Sequence, residues 1–161
     1  MDEVDELVAA WQRERPDLDV EPMQIWSRIT RLAQLQNRVR AESFAAHSLQ
    51  AWEFDVLAAL RRSGRPYQLT PGQLLDKTHV TSGTMTNRVD RLYARGLVNR
   101  TANPHDGRGV LVQLTDEGRE KVDAALADLV SAEARILADL DRRNQDDLAL
   151  ALRSLLLAAQ Q

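Results

Sequence analysis

The sequence predicts a mainly α fold with a small β-wing, and three observations carry that expectation. In the run TSGTMTNRVDRLYARG the apolar Met85, Val89 and Leu92 recur at i, i+4 and i+7, the spacing that turns one stripe of a helix toward a core. Beside it Thr84, Asn87, Arg88, Arg91 and Arg95 repeat at helical spacing, and at ~100° per residue their stripe sits about a quarter-turn from the apolar one. That second stripe is polar and cationic. Past Gly96 the period changes to two short strand candidates, LVNRTA and the β-branched VLVQLT. The turn-rich Asn103-Pro104-His105-Asp106-Gly107-Arg108-Gly109 between them puts Arg108 at or near the tip of a hairpin.

Taken in order, Val4, Leu7, Val8 and Trp11 form an i, i+3, i+4, i+7 stripe, so the chain opens on an amphipathic helix that stops before Pro16. Asp17 to Val20 reads as a linker. Pro22 opens a long second helix with Ile25, Trp26, Ile29, Leu32, Ala33 and Val39 among its apolar positions. A third, from about Gln50 to Arg62, is expected to bury Trp52, Val56, Leu57 and Leu60 and to end at Ser63-Gly64. Gln68-Leu69-Thr70 suits a minor strand against the wing. Thr70-Pro71-Gly72-Gln73 is a capping box with Pro at the first helical position, and it starts a short helix through Leu74 and Leu75. Thr81 or Ser82 can cap the polar-faced helix that follows, and Gly96 supplies the left-handed residue that ends it. Short helix, turn, polar-faced helix and hairpin in that order make a winged helix-turn-helix.

Beyond the wing, Thr115-Asp116-Glu117 starts a helix with carboxylates where the N-terminal partial charge favours them. Val122, Leu126, Leu129, Ile136 and Leu140 extend it to roughly 25 residues by their helical spacing. Asn144, followed by Asp146 and Asp147, restarts a last helix faced by Leu148, Leu152, Leu155 and Leu156. Such terminal helices bury their apolar faces best against a second copy, so a homodimer with a twofold interface is expected. The 161 residues then read as one domain: N-terminal helices over 1–48 on the dimerisation and ligand side, a winged lobe over 49–115, and C-terminal dimerisation helices over 116–161.

Charge supports a nucleic-acid partner. The chain carries a net −3, yet from Arg61 to Arg108 nine Arg and Lys face only Asp76, Asp90 and Asp106, a local +6 that leaves −9 for the remainder. With no cysteine, disulfides, thiolate zinc sites and cysteine redox sensing are excluded. No stretch is long and apolar enough for a membrane span and the acidic N-terminus has no signal-peptide pattern, so a cytoplasmic protein is expected. His47, His79 and His105 are scattered without ligand spacing, so no metal is expected. No Gly-rich phosphate loop follows a strand and no nucleophile triad motif is present; neither a cofactor nor an enzyme is expected.

The text SGTMTNRVDRLYARGLVNR followed by NPHDGRGVLVQLTDEG resembles the MarR family of bacterial transcriptional regulators, whose wing carries an Asp-Arg-Arg pattern leading into Leu-Thr and the next helix. It departs at Gly107, where that pattern often has Arg. The resemblance implies that Arg108 enters a minor groove and that Asp106 braces the wing. The N-terminal helix with its Trp, and WEFDVLAALRR, are similar to the family's urate-responsive branch, which includes regulators that answer to citrate or aconitate. By position, that similarity implies a small-anion site on Trp11, Asp55, Arg62, Arg88 and Arg100.

Each candidate has a plainer role as well. Asn87 and Arg88 bear side chains that read adenine and guanine edges, or they line a solvated helix face. Ser82 and Thr84 suit phosphates or a thymine methyl, and Thr86 completes the DNA-facing set with Arg91, which, like Arg95, fits a backbone or an intramolecular contact. Arg108 is either an exposed arginine or one drawn into a narrow, electronegative A·T-rich minor groove. Trp11 fits plain core packing or stacking on a planar ligand. Asp55, between Phe54 and Val56, needs a partner, and Arg62 two turns on is either a structural ion pair for it or part of the pocket. The reading is a homodimeric, sequence-specific regulator on a pseudo-palindromic operator of double-stranded DNA, acting as a repressor released by a small anionic metabolite such as urate, citrate or aconitate. A constitutive regulator without effector, or a winged-helix dimerisation module for a protein partner, are its alternatives.

Overall fold

The computed structural model describes residues 1–78, 81–103 and 109–160, which form two compact units, Met1–Glu42 and Ser43–Gln161. In the first, Asp2 caps α1 (Glu3–Glu14) by accepting the N–H of Val4 at 2.9 Å, while the Asp5 carboxylate accepts the N–H of Asp2 at 2.8 Å. The helix stops before Pro16, as the sequence requires. Val4 and Val8 are buried with Val20, and Met23 at the start of α2 (Met23–Ala45) packs on them. Arg28 ties the two helices by reaching Asp2 at 2.9 Å and Asp5 at 2.7 Å. Trp11 is 45% exposed. The buried part of its stripe ends at Val8, so the expectation that it packs in a core is corrected within this chain.

The second unit is built on α3 (Ala51–Arg62), which is buried from Glu53 through Leu60 with only Asp55 half out. Phe54 stacks on Phe44 with centroids 4.0 Å apart. Trp52 is only half-buried, contrary to its assignment to the core, because it stands at the first turn of the helix, ahead of the packed stretch. The minor strand exists: β1 (Gln68–Leu69) pairs antiparallel with β3 (Val110–Leu114), which pairs on its other side with β2 (Val98–Ala102). In α4 (Pro71–Thr78) the capping box forms as read, with Thr70 N–H donating to Gln73 Oε1 at 2.9 Å and Gln73 N–H to Thr70 Oγ1 at 3.2 Å.

Met85, Val89 and Leu92 of α5 (Ser82–Ala94) are all buried, so the i, i+4, i+7 stripe does face the core. Thr81 is its N-cap, but the Thr81 hydroxyl pairs with Thr84 Oγ1 at 2.9 Å and makes no cap bond to the backbone. Gly96 follows at φ +71°, a conformation that favours a residue without Cβ.

Thr115 joins wing to helix by donating to Gly96 O at 2.8 Å and accepting Gly118 N–H at 3.0 Å, which caps α6 (Asp116–Leu137). At this junction a Cβ on Gly118 would lie 2.2 Å from Leu97 O, a backbone atom that cannot swing away. Gly118→Ala is therefore expected to lower stability by about 2–3 kcal/mol through overpacking, read as a shift in urea midpoint. The last helix, α7 (Arg142–Ala158), starts earlier than expected. Asp141, not Asn144, is its cap, because the Asp141 carboxylate already accepts the N–H of Asn144 at 2.7 Å. No residue of α7 is buried, and Leu148, Leu150, Leu152, Leu156 and Leu157 are exposed along it.

Candidate nucleic-acid interface

Burial of one side of α5 decides what its other side displays. With Met85, Val89 and Leu92 turned inward, Gly83, Thr84, Asn87, Arg88 and Arg91 line an open groove of about 470 Å³, closed on one flank by the Trp52 ring from the start of α3. The Arg91 guanidinium lies 4.8 Å and that of Arg88 5.5 Å from the centre of that ring. Among the described residues neither arginine has a carboxylate partner.

Three other cations of the basic stretch are paired with carboxylates. Arg61 donates to Asp123 at 2.8 Å, a bond that raises its pKa and holds it charged. Arg95, the last of the polar stripe, turns to intramolecular work, donating to Glu53 at 2.6 Å and to Ser48 O at 2.7 Å. Arg100 on β2 is paired with Asp90 of α5 and lies over Tyr93, 5.4 Å from the ring centre. Among the described residues of α5 and β2, Arg88 and Arg91 are thus the arginines left without a carboxylate, and an anion beside them relieves two like charges at once.

Of the DNA-facing set, Thr84, Asn87, Arg88 and Arg91 come together in the groove. Ser82 is exposed in the first turn. Thr86 lines a different recess with Pro71, Val89, Arg100, Val110 and Val112, on the side of the sheet. The base of the wing is closed by Asn103 N–H donating to Gly109 O at 2.8 Å, and from Asn99 to Ala102 the strand is exposed. Arg108 and Asp106 lie outside the described residues. Of the anion set, Trp11 belongs to the N-terminal unit and the other four to the second. There Asp55 is half-buried and does have a partner, as its position demands, Arg62 is exposed, Arg88 rests on Trp52, and Arg100 is engaged by Asp90. Sequence reasoning missed Trp52 and the buried Glu53. The available signal was their place: Gln50 is the N-cap of α3 and Trp52 and Glu53 stand in its first turn, where a ring can face outward and a carboxylate can accept the free N–H of Gln50.

A buried apolar stripe, a displayed cationic groove on the second helix of the pair and a three-stranded wing define a winged helix-turn-helix DNA-binding protein. Residues 47–109 match the model of the MarR family. The transcriptional regulator PecS of Dickeya dadantii is 37% identical over 150 residues, covering 93% of this chain and 90% of its own. Among solved structures, a MarR family transcriptional regulator from Streptomyces coelicolor superposes with TM-score 0.71 at 28% identity, covering 88% of this chain and 97% of that one. A mutant Escherichia coli MarR complexed with operator DNA gives TM-score 0.70 at 28% identity, covering 86% and 99%. The chain belongs to the MarR family of transcriptional regulators. No helix among the described residues is long and apolar enough to cross a membrane.

Proposed function

We propose that the chain acts as a homodimeric repressor whose two α5 helices enter successive major grooves of a pseudo-palindromic operator and are released by a small anionic metabolite. The observation that carries the DNA half is the groove in which Thr84, Asn87, Arg88 and Arg91 converge with their charge uncompensated. Asn87 and Arg88 read base edges, Ser82, Thr84 and Arg91 meet phosphates, and Arg108 enters the flanking minor groove. Repression follows from a dimer occluding a promoter. The dimer is supported by the exposed leucines of α7 and by Leu126, Val130 and Ile136 of α6, apolar surface that a second copy covers. Leu152→Glu is expected to leave a folded monomer that binds the same duplex at least tenfold more weakly, since one charge buried at a twofold is met by its own copy; light scattering and a binding titration check both.

The anion half is supported by the sequence pattern of Trp11, Asp55, Arg62, Arg88 and Arg100. An anion that draws Arg88 to itself removes a base-reading group, and it shifts binding only by its differential affinity for the free and operator-bound states. The test is selection of bound duplexes from a random pool, then titration of urate, citrate and aconitate against the complex. Release by one of them, abolished by Trp11→Phe or Arg88→Ala, is the expected result; indifference to all three leaves a constitutive regulator. One contact favours that second reading: Arg100 is already satisfied by Asp90.

A further inference from the structure

The side chain least explained by packing is Trp52. A tryptophan on a helix whose next eight residues are mostly buried is ordinarily core, yet this ring is half out and carries two arginines of the neighbouring helix on it, Arg91 at 4.8 Å and Arg88 at 5.5 Å. The ring is fixed from behind. Its Nε1–H donates to Gln50 Oε1, Gln50 N–H donates to Glu53 Oε2 at 2.8 Å, and Glu53 Oε1 receives Arg95 at 2.6 Å from the far end of α5. One short network therefore starts at the last turn of α5, crosses the first turn of α3, and returns through the indole to the middle of α5.

We propose that Trp52 is a positioning residue for DNA reading: its indole face holds Arg88 and Arg91 extended along the groove before any duplex arrives. The inference rests on the reading of α5 as the DNA-contacting helix. A guanidinium stacks on an indole face by cation–π attraction and keeps its in-plane donors free for a base edge or a phosphate. An arginine otherwise gives up most of its rotamer freedom on binding, so holding two of them in place beforehand lowers the cost of association. The same ring sets which way Arg88 points, and so affects which base it discriminates.

The experiment is a cycle on the full-length protein. Duplex affinity is measured for Trp52→Leu and Trp52→Phe, each alone and in an Arg88→Ala/Arg91→Ala background, on the selected duplex and on single base-pair variants of it. Trp52→Leu is expected to lose roughly tenfold in affinity and to flatten the preference at the base pair read by Arg88, Trp52→Phe to retain most of both, and the loss to vanish when the two arginines are gone. Fluorinated tryptophan placed at position 52 keeps the shape while weakening the ring face; it should reduce affinity stepwise with each fluorine, and it decides the matter should Trp52→Leu fail to fold. Unchanged affinity and preference in the Leu and fluorinated proteins, or a loss that persists undiminished without the arginines, overturns the inference while leaving DNA reading by Asn87 intact. A wild-type chain that selects no duplex overturns both.

Discussion

Arg95→Ala is expected to lower stability by about 3 kcal/mol, although the Arg95 side chain is itself partly exposed. Its partner decides the magnitude. The Glu53 side chain is 3% exposed, and its carboxylate is satisfied by Arg95 at 2.6 Å and Gln50 N–H at 2.8 Å. Removing the guanidinium leaves a buried carboxylate half-paired, which ranks with the costliest single changes; the lower end of the range applies because water reaches the arginine side. The same change frees Ser48 O, held by Arg95 at 2.7 Å in a turn where Ser48 sits at φ +56°. Urea unfolding of Arg95→Ala and of the double variant Arg95→Ala/Glu53→Leu separates the contributions, since an apolar replacement of both partners is expected to recover much of the loss. A midpoint unchanged in Arg95→Ala would show that the pair contributes nothing.

Asn87→Ala and Arg88→Ala are each expected to weaken the selected duplex by roughly 10- to 100-fold, the range for one lost bidentate base contact of about 1–3 kcal/mol. Asn87 is exposed and Arg88 half-exposed, so melting temperature should hardly move and the loss belongs to recognition. Discrimination should fall at one base pair per half-site for each variant, and not at the same one. Arg91→Ala has a different expected signature: a nearly uniform loss on all duplexes with a salt dependence shallower by about one counterion. A uniform loss in the Asn87 variant would reassign that residue to the backbone.

Where a fold is dictated by periodicity and local chemistry, this sequence is readable. Met85, Val89 and Leu92 are buried as their spacing requires, and Thr70 and Gln73 close their box. The short strand before α4 pairs with the wing, and Arg95 makes an intramolecular contact. Periodicity reports which side of a helix faces a core, not how far along the helix that core extends. Hence Trp11 and Trp52, each on an apolar stripe, lie beyond its buried part. Thr81 and Asn144 illustrate a second limit, because several residues near a helix start can cap it and the one chosen depends on neighbours such as Thr84 and Asp141. The candidate site was legible as a stripe, Thr84, Asn87, Arg88 and Arg91. Its flank was not, because Trp52 and Arg91 are 39 positions apart and meet only where the tertiary fold brings the first turn of α3 beside α5. Pairings such as Asp90 with Arg100 are equally invisible to spacing, and they change what an arginine is available to do.

That α5 lies in the major groove, and does so twice per bound duplex, is open to a direct chemical readout because the chain has no cysteine. Gly83 lines the groove, and a Cβ there meets nothing within 4 Å, so Gly83→Cys gives a single attachment point for a DNA-cleaving iron chelate. Bound to the selected duplex, this protein should cut at two places whose centres are about one helical turn, roughly 10–10.5 base pairs, apart or a multiple of that. A complex that forms at full affinity and is cut nowhere, or at one place only, would rule out that placement of α5.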